Sequence, residues 1–305
     1  MSNENRLLGN IEKLGDRYCE EILLKDWKRD ELEMDWWVAL DFFFGHSFMR
    51  GRRDELSNGY RYFTQDVLRK YFSVYSESLD KSYEMLKESE ELFDIKPILE
   101  FKSRMRKRGA KGSIVKNPNF VEVTFENPLV KNLSNEKEVP VKWKGETNPK
   151  TVCLNNEEDI MMVLDVLKFI SDERKANIYN YLKKSIQDNG AEKTGEQLKK
   201  IRAIGDKIAS FIIRDIGLLN LQIIKPEEFK AAFPVDTWVK QVAKRVGYEG
   251  EKIEDIIQYF IGRCNYFNIY PPKFAAGLWY LGFNSLDLAI ECLDEVEINA
   301  KRQSS

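Results

Sequence analysis

The residues best suited to chemistry lie in two short segments. In the first, Leu198 to Phe211, the spacing predicts a helix ending near Ile201, a tight turn of small and apolar residues, and a second helix beginning at about Asp206. Gly205 is free to take positive φ or to admit close backbone approach. Amide groups at the start of the second helix lack a partner within it. Together with the positive helix end they suit a phosphate oxygen. Ile204 and Ile208 are expected to pin the turn to the core, Asp206 to cap the helix, and Ala209 to let the two helices pack closely. A plain pair of antiparallel helices with a capped turn fits the same residues. The second segment is Phe233-Pro234-Val235-Asp236-Thr237-Trp238-Val239. It places the Asp236 carboxylate at a helix N-terminus, where capping alone accounts for it.

The elements that must position these segments are mostly helical. Residues 1–85 read as N-terminal helices: Leu7, Leu8, Ile11, Leu14, Tyr18, Ile22 and Leu23 recur at helical spacing, and Trp36 to Phe44 is too apolar for a surface helix. A break is expected at Gly45, His46, Ser47, Phe48, Met49, Arg50, Gly51, Arg52 and Arg53, and a new helix at Asp54 or Ser57. Residues 86–155 differ in texture. Between Lys102 and Lys116 seven basic residues follow one another with no acidic residue among them, which predicts a solvated loop or a contact to nucleic acid. Asn119 to Phe125 and Val139 to Trp143 alternate as short strands do. This stretch is expected to be a basic, β-containing insertion. From 156 to 305 helical periodicity returns, with candidates at 160–170, 174–186, 194–201, 208–219, 234–246, 253–264, 274–281 and 286–293. The aromatic residues Trp36, Trp37, Trp279 and Tyr280 read most simply as core.

The totals narrow the class. With 305 residues, 43% of them hydrophobic and 32% charged, the chain can bury a large core or two lobes and has the make-up of a soluble globular protein. No stretch approaches the roughly 20 apolar residues of a membrane span, and the N-terminus lacks the pattern of a secretory signal. Cys19, Cys153, Cys264 and Cys292 form no CxxC pair or cluster, so they are expected as reduced thiols, with no zinc site and no iron–sulfur set. The net charge of −2 neither requires nor excludes a basic face for nucleic acid.

Taken together, the two segments resemble the helix–hairpin–helix, Gly/Pro…Asp superfamily of DNA glycosylases, the family of endonuclease III and 8-oxoguanine glycosylase. Ile201 to Ala209 is similar to the family hairpin, with Ala203 where its first glycine stands, and Pro234 to Val239 is similar to the segment of the catalytic aspartate. Glu173 to Tyr179, the helix start around Asp54 and Asn58, and Pro272 to Gly282 extend the likeness over 30–80 and 156–300. The connection from Lys207 to Asp236 is longer than the family's, and Trp238 follows Thr237 where histidine is common. With no cysteine set, the cluster-free 8-oxoguanine branch is the better match, although that branch often carries its β-rich part at the start of the chain.

The resemblance implies a mostly α, two-lobed fold with a small β-containing insertion, DNA passing across the hairpin between lobes. It implies a bifunctional glycosylase and abasic-site lyase of base excision repair. The target nucleotide is flipped out. The Lys207 amine, freed of its proton in an apolar wall, attacks the sugar C1′ and expels the base; the resulting Schiff base undergoes β-elimination. Asp236 orients the amine and stabilises the cationic sugar. An oxidised base is expected, 8-oxoguanine first. The alternatives are another lesion, such as an oxidised pyrimidine, or a non-catalytic DNA-binding hairpin protein. Ala203, Ile204 and Gly205 are expected at the phosphate, with His46, Arg50, Arg52 and Arg53 on a loop filling the gap beside the flipped base or forming a plain surface turn. Phe211 and Trp238 are expected to line the base pocket or to be ordinary core. No metal or organic cofactor is required, with room for a structural monovalent cation at the hairpin carbonyls. The partner is damaged double-stranded DNA, and a monomer associated with the nucleoid of the cytoplasm is expected.

Overall fold

The computed structural model describes residues 3–49, 54–73, 79–93, 106–108, 114–116, 127–143, 146–154, 157–245, 248, 250 and 252–284. They are mostly helical. In chain order the helices are α1 (Asn3–Tyr18), α2 (Leu24–Asp26), α3 (Arg29–Met34), α4 (Trp36–Ser47), α5 (Asp54–Ser73), α6 (Leu79–Glu88), α7 (Pro128–Ser134), α8 (Glu157–Ile170), α9 (Ile178–Asn189), α10 (Ala191–Leu198), α11 (Asp206–Leu219), α12 (Thr237–Arg245), α13 (Ile253–Phe267) and α14 (Pro271–Phe283). Four short strands, β1 (Arg106–Arg108), β2 (Ile114–Lys116), β3 (Lys137–Trp143) and β4 (Glu146–Val152), make two separate antiparallel pairs, β1 with β2 and β3 with β4. The chain divides into two compact units: Met1–Lys28, Asn189–Glu192 and Ser210–Ser305 form the first, Arg29–Asp188 and Lys193–Ala209 the second. The stretch expected as an insertion thus shares a unit with α3 to α6 and α8.

The first unit is built on α1 against α14. The two backbones touch where Gly277 faces the carbonyl of Ile11, a gap too small for any Cβ. Around them Leu8, Ile11, Phe233, Val239, Phe260, Phe274 and Leu278 form one apolar core, with Phe233 and Phe260 stacked at 6.0 Å. Tyr270 precedes Pro271 and Pro272, which open α14 at the position where proline is tolerated. The connection from Leu219 to Phe233, within the long stretch between Lys207 and Asp236, contains a 3₁₀ helix at Pro226–Ala232 whose Phe229 and Ala232 are buried. The helix expected from Pro234 begins at Thr237.

The second unit is organised by α4. Asp35 caps it by accepting from the amides of Trp37 (2.7 Å) and Val38 (3.3 Å), and ten of its residues are buried. Arg61 of α5 donates through Nε to Asp41 at 2.8 Å, and Ser57 Oγ donates to the carbonyl of Phe48. The β3–β4 hairpin lies on α5, with Val141 and Val152 against Gly59. Pro128 opens α7 behind an Asn127 cap. The amides of Asn177 and Asn180 hold α9 to the carbonyls of Leu32 and Glu33.

Two expectations are corrected. The break placed at Gly45 does not occur there: α4 continues to Ser47, because its residues to that point are apolar or bond back to the preceding turn, as Ser47 Oγ does to Phe43 O at 2.8 Å. The basic run is not wholly loop, since Arg106–Arg108 pairs with Ile114–Lys116. The strand expected at 119–125, the helix at 286–293 and Cys292 lie outside the described residues.

Candidate nucleic-acid interface

The hairpin belongs to the second unit. After α10 the chain makes a β-turn in which Ile204 N–H donates to Ile201 O at 3.1 Å. Ala203, its third residue, has φ of 65°, and Arg202 is not among the positive-φ residues. That is the type II pattern, whose third position favours glycine. The alanine methyl is therefore held in the left-handed region against its own preference. Gly205, by contrast, is not in that region, and a Cβ there would meet nothing within 4 Å. The conformational demand expected at Gly205 sits at Ala203; what Gly205 provides is open space.

The ladder of α11 begins with Ala209 N–H donating to Gly205 O at 3.0 Å, so the amides of Asp206, Lys207 and Ile208 precede it and have no acceptor within the helix. Asp206, expected as the cap, extends to solvent and accepts from Lys199 Nζ at 2.8 Å. Lys199, Lys200, Arg202 and Lys207 lie in or beside the turn in sequence, with Lys199 paired to both Glu196 (2.6 Å) and Asp206 (2.8 Å). Ile204 and Ile208 are buried beneath it, as expected for residues that pin the turn, and Ile201 is buried with them. Lys207 is half-buried.

A support that the sequence reading missed is Asp165 of α8. Its Oδ2 accepts the backbone N–H of Arg202 at 2.9 Å, tying the turn to the core helix, and Arg202 Nη1 lies 2.9 Å from Met161 Sδ. Burial raises the Asp165 carboxyl above its ordinary value, opposed by the Arg202 amide bond and charge. The signal was visible as a single carboxylate in the apolar run from Ile160 to Ile170.

Asp236 belongs to the first unit. It caps α12, its Oδ1 accepting from Val239 N–H at 3.0 Å. Its Oδ2 has no hydrogen-bond partner among the described residues, and the side chain is partly exposed. Val235 and Val239 are buried on either side. Trp238 is 43% exposed and its indole lies over Gly282. Phe211 is buried, with the Arg214 guanidinium 4.7 Å from its ring centroid and Trp279 edge-on at 6.4 Å. Arg214 is itself fully buried, paired with Asp215 at 2.7 Å and donating to the Tyr18 hydroxyl at 2.9 Å. Phe211 thus belongs to a packed polar-aromatic cluster, and Trp238 is the more accessible of the two aromatic candidates.

His46 is a correction. It lies inside α4, 3% exposed, with Nδ1 2.8 Å from Phe42 O and its ring against Phe42. A buried helical histidine cannot sit on a DNA-facing loop. Arg50, Arg52 and Arg53 lie outside the described residues. Among the described residues no group of three or more His, Cys, Asp or Glu is placed to hold a metal, and no helix is long and apolar enough to cross a membrane.

Comparison of the chain with protein-family models, with curated proteins and with solved structures gives no match to any of them.

Proposed function

We propose that this chain is a helix–hairpin–helix DNA glycosylase with abasic-site lyase activity, acting on an oxidised base, 8-oxoguanine first. The observation that carries the reading is the turn at Ala203: a type II hairpin with three unladdered amides, an open face at Gly205 and four basic residues in or beside it in sequence. That is an arrangement suited to a DNA phosphate. Lys207, on the first turn of the following helix, is the nucleophile of the proposal. Its nitrogen forms a bond to C1′ as the bond to the base breaks, and the base leaves with a proton. The sugar ring opens to a Schiff base, and removal of a C2′ proton then breaks the C3′–O bond, leaving a 5′-phosphate on the released strand. Asp236, with Oδ2 uncommitted, supplies a carboxylate for the proton and for the cationic sugar.

The test is borohydride trapping on a panel of lesion duplexes. Wild type should form a covalent adduct with the 8-oxoguanine duplex, and Lys207→Ala should form none. An adduct undiminished in Lys207→Ala, or no adduct on any lesion, refutes the lyase. Asp236→Asn should slow base release about 100-fold or more while DNA affinity falls less than about threefold; equal losses in both would leave Asp236 a cap only.

A further inference from the structure

A surface cavity of about 450 Å³, open to solvent, lies in the second unit where the ends of α5 and α7 meet the start of β3. Its size is in the range of small-molecule sites. Val67 and Tyr71, one helical turn apart on α5, give it an apolar wall with one aromatic ring. Asn132 of α7 and Asn135 just beyond it face the same space, and neither side-chain amide has a hydrogen bond to a described residue; nor does the Tyr71 hydroxyl. Burial raises the Tyr71 hydroxyl above its ordinary value, which keeps it a neutral donor. The rim is charged but balanced. Lys70 lies 3.1 Å from Asp66, Lys137 pairs with the same carboxylate, and Glu136 supplies the second negative charge. Both lysines are therefore committed in part to Asp66, whose carboxyl they hold below its usual range against the opposing effect of burial.

An aromatic ring for stacking, two free amides that each offer a donor and an acceptor, and cancelling charge select one ligand chemistry. Asparagine amides match the paired donor and acceptor edge of a purine, and rings stack on tyrosine without regard to sequence. The two helices also end here, and their C-terminal carbonyls favour hydrogen-bond donors over anions. We propose that this cavity is a binding site for an uncharged purine base or nucleoside, stacked on Tyr71 and read by Asn132 and Asn135. The site stands on residues of the second unit alone and does not depend on the glycosylase reading.

Isothermal titration of the full chain with adenosine, guanosine and adenosine monophosphate tests it. One of the nucleosides should bind saturably at a single site, and the monophosphate should bind no more tightly than adenosine. Tyr71→Ala should weaken binding about tenfold or more, Tyr71→Phe should retain it, and Asn132→Ala and Asn135→Ala should each weaken it about fivefold. Both asparagines are exposed, so their variants keep the test valid if Tyr71→Ala does not fold. No saturable nucleoside binding, a monophosphate bound tenfold more tightly than adenosine, or Tyr71→Ala and the asparagine variants binding like wild type would each overturn the site. Borohydride trapping by these variants should match wild type, which separates a failure here from a failure of the lyase reading.

Discussion

Replacing Ala203 by glycine should stabilise the protein, against the usual direction for a core-proximal turn. Ala203 has φ of 65°, where an L side chain costs about 1–2 kcal/mol through its Cβ and the following carbonyl. Glycine removes that cost and gives back about 0.5–1 kcal/mol through the extra freedom of the unfolded chain. The net is a gain of about 0.5–1 kcal/mol. In a domain of this size that raises the unfolding midpoint by about 2 °C, and in urea it moves the midpoint without changing the slope. The alanine methyl makes no hydrogen bond whose loss would offset the gain, and the turn bond from Ile204 to Ile201 is backbone only. Ala203→Val gives the opposite sign, because a branched Cβ at positive φ is more strained still. Both variants are measured by thermal and urea unfolding followed by circular dichroism. A glycine variant that is neutral or less stable, or a valine variant as stable as wild type, would show that the turn does not hold Ala203 in the left-handed region.

Two further predictions concern buried groups. Asp165→Ala removes the acceptor of the Arg202 amide and should cost about 1–2 kcal/mol in urea unfolding, whereas Asp165→Asn keeps an acceptor. Because burial raises the Asp165 carboxyl in the folded state, its contribution is fully present below the ordinary aspartate range and is lost as pH rises through the raised value. Asp165→Asn should therefore become more stable relative to wild type as pH rises from about 3.5 and then level off; a variant that loses stability relative to wild type over that range contradicts this. Burial also pushes the thiols of Cys19 and Cys264 up to about 12. In a short iodoacetamide pulse at pH 8, peptide mapping should find half-buried Cys153 labelled before buried Cys264, and equal labelling of the two would refute the burial.

The sequence was most informative where one periodicity acts over a long run. The helices around 160–170, 208–219 and 253–264 appear as α8, α11 and α13, because their apolar spacing is enforced by burial on one face. Val139 to Trp143 alternates and forms β3. Pattern reading failed where local chemistry and burial disagree. Gly45 and His46 look like a break, yet α4 is buried nearly all round, and there a glycine and a histidine bonded to Phe42 O are tolerated inside the helix. It also failed at the hairpin, where glycine is the natural guess for positive φ. The chain instead places an alanine there, in a turn held by the bond to Asp165 and the buried Ile201 and Ile204. Asp165 itself is separated from the turn by 37 positions, and no local rule connects them.

Asp236 shows why capping and chemistry are not competing accounts of one residue. Capping engages Oδ1 with Val239 N–H at 3.0 Å and thereby fixes the side-chain rotamer. Oδ2 then points in one direction rather than many, so a carboxylate used for proton transfer loses little conformational freedom when it acts. Asparagine caps as well as aspartate does, so Asp236→Asn preserves the rotamer and leaves stability within about 0.5 kcal/mol while deleting the charge. Alanine removes both, and it should cost about 1 kcal/mol of stability besides. If asparagine were to lose as much stability as alanine, the cap seen at Val239 would not be what holds this side chain, and a fall in base release could no longer be assigned to the missing charge.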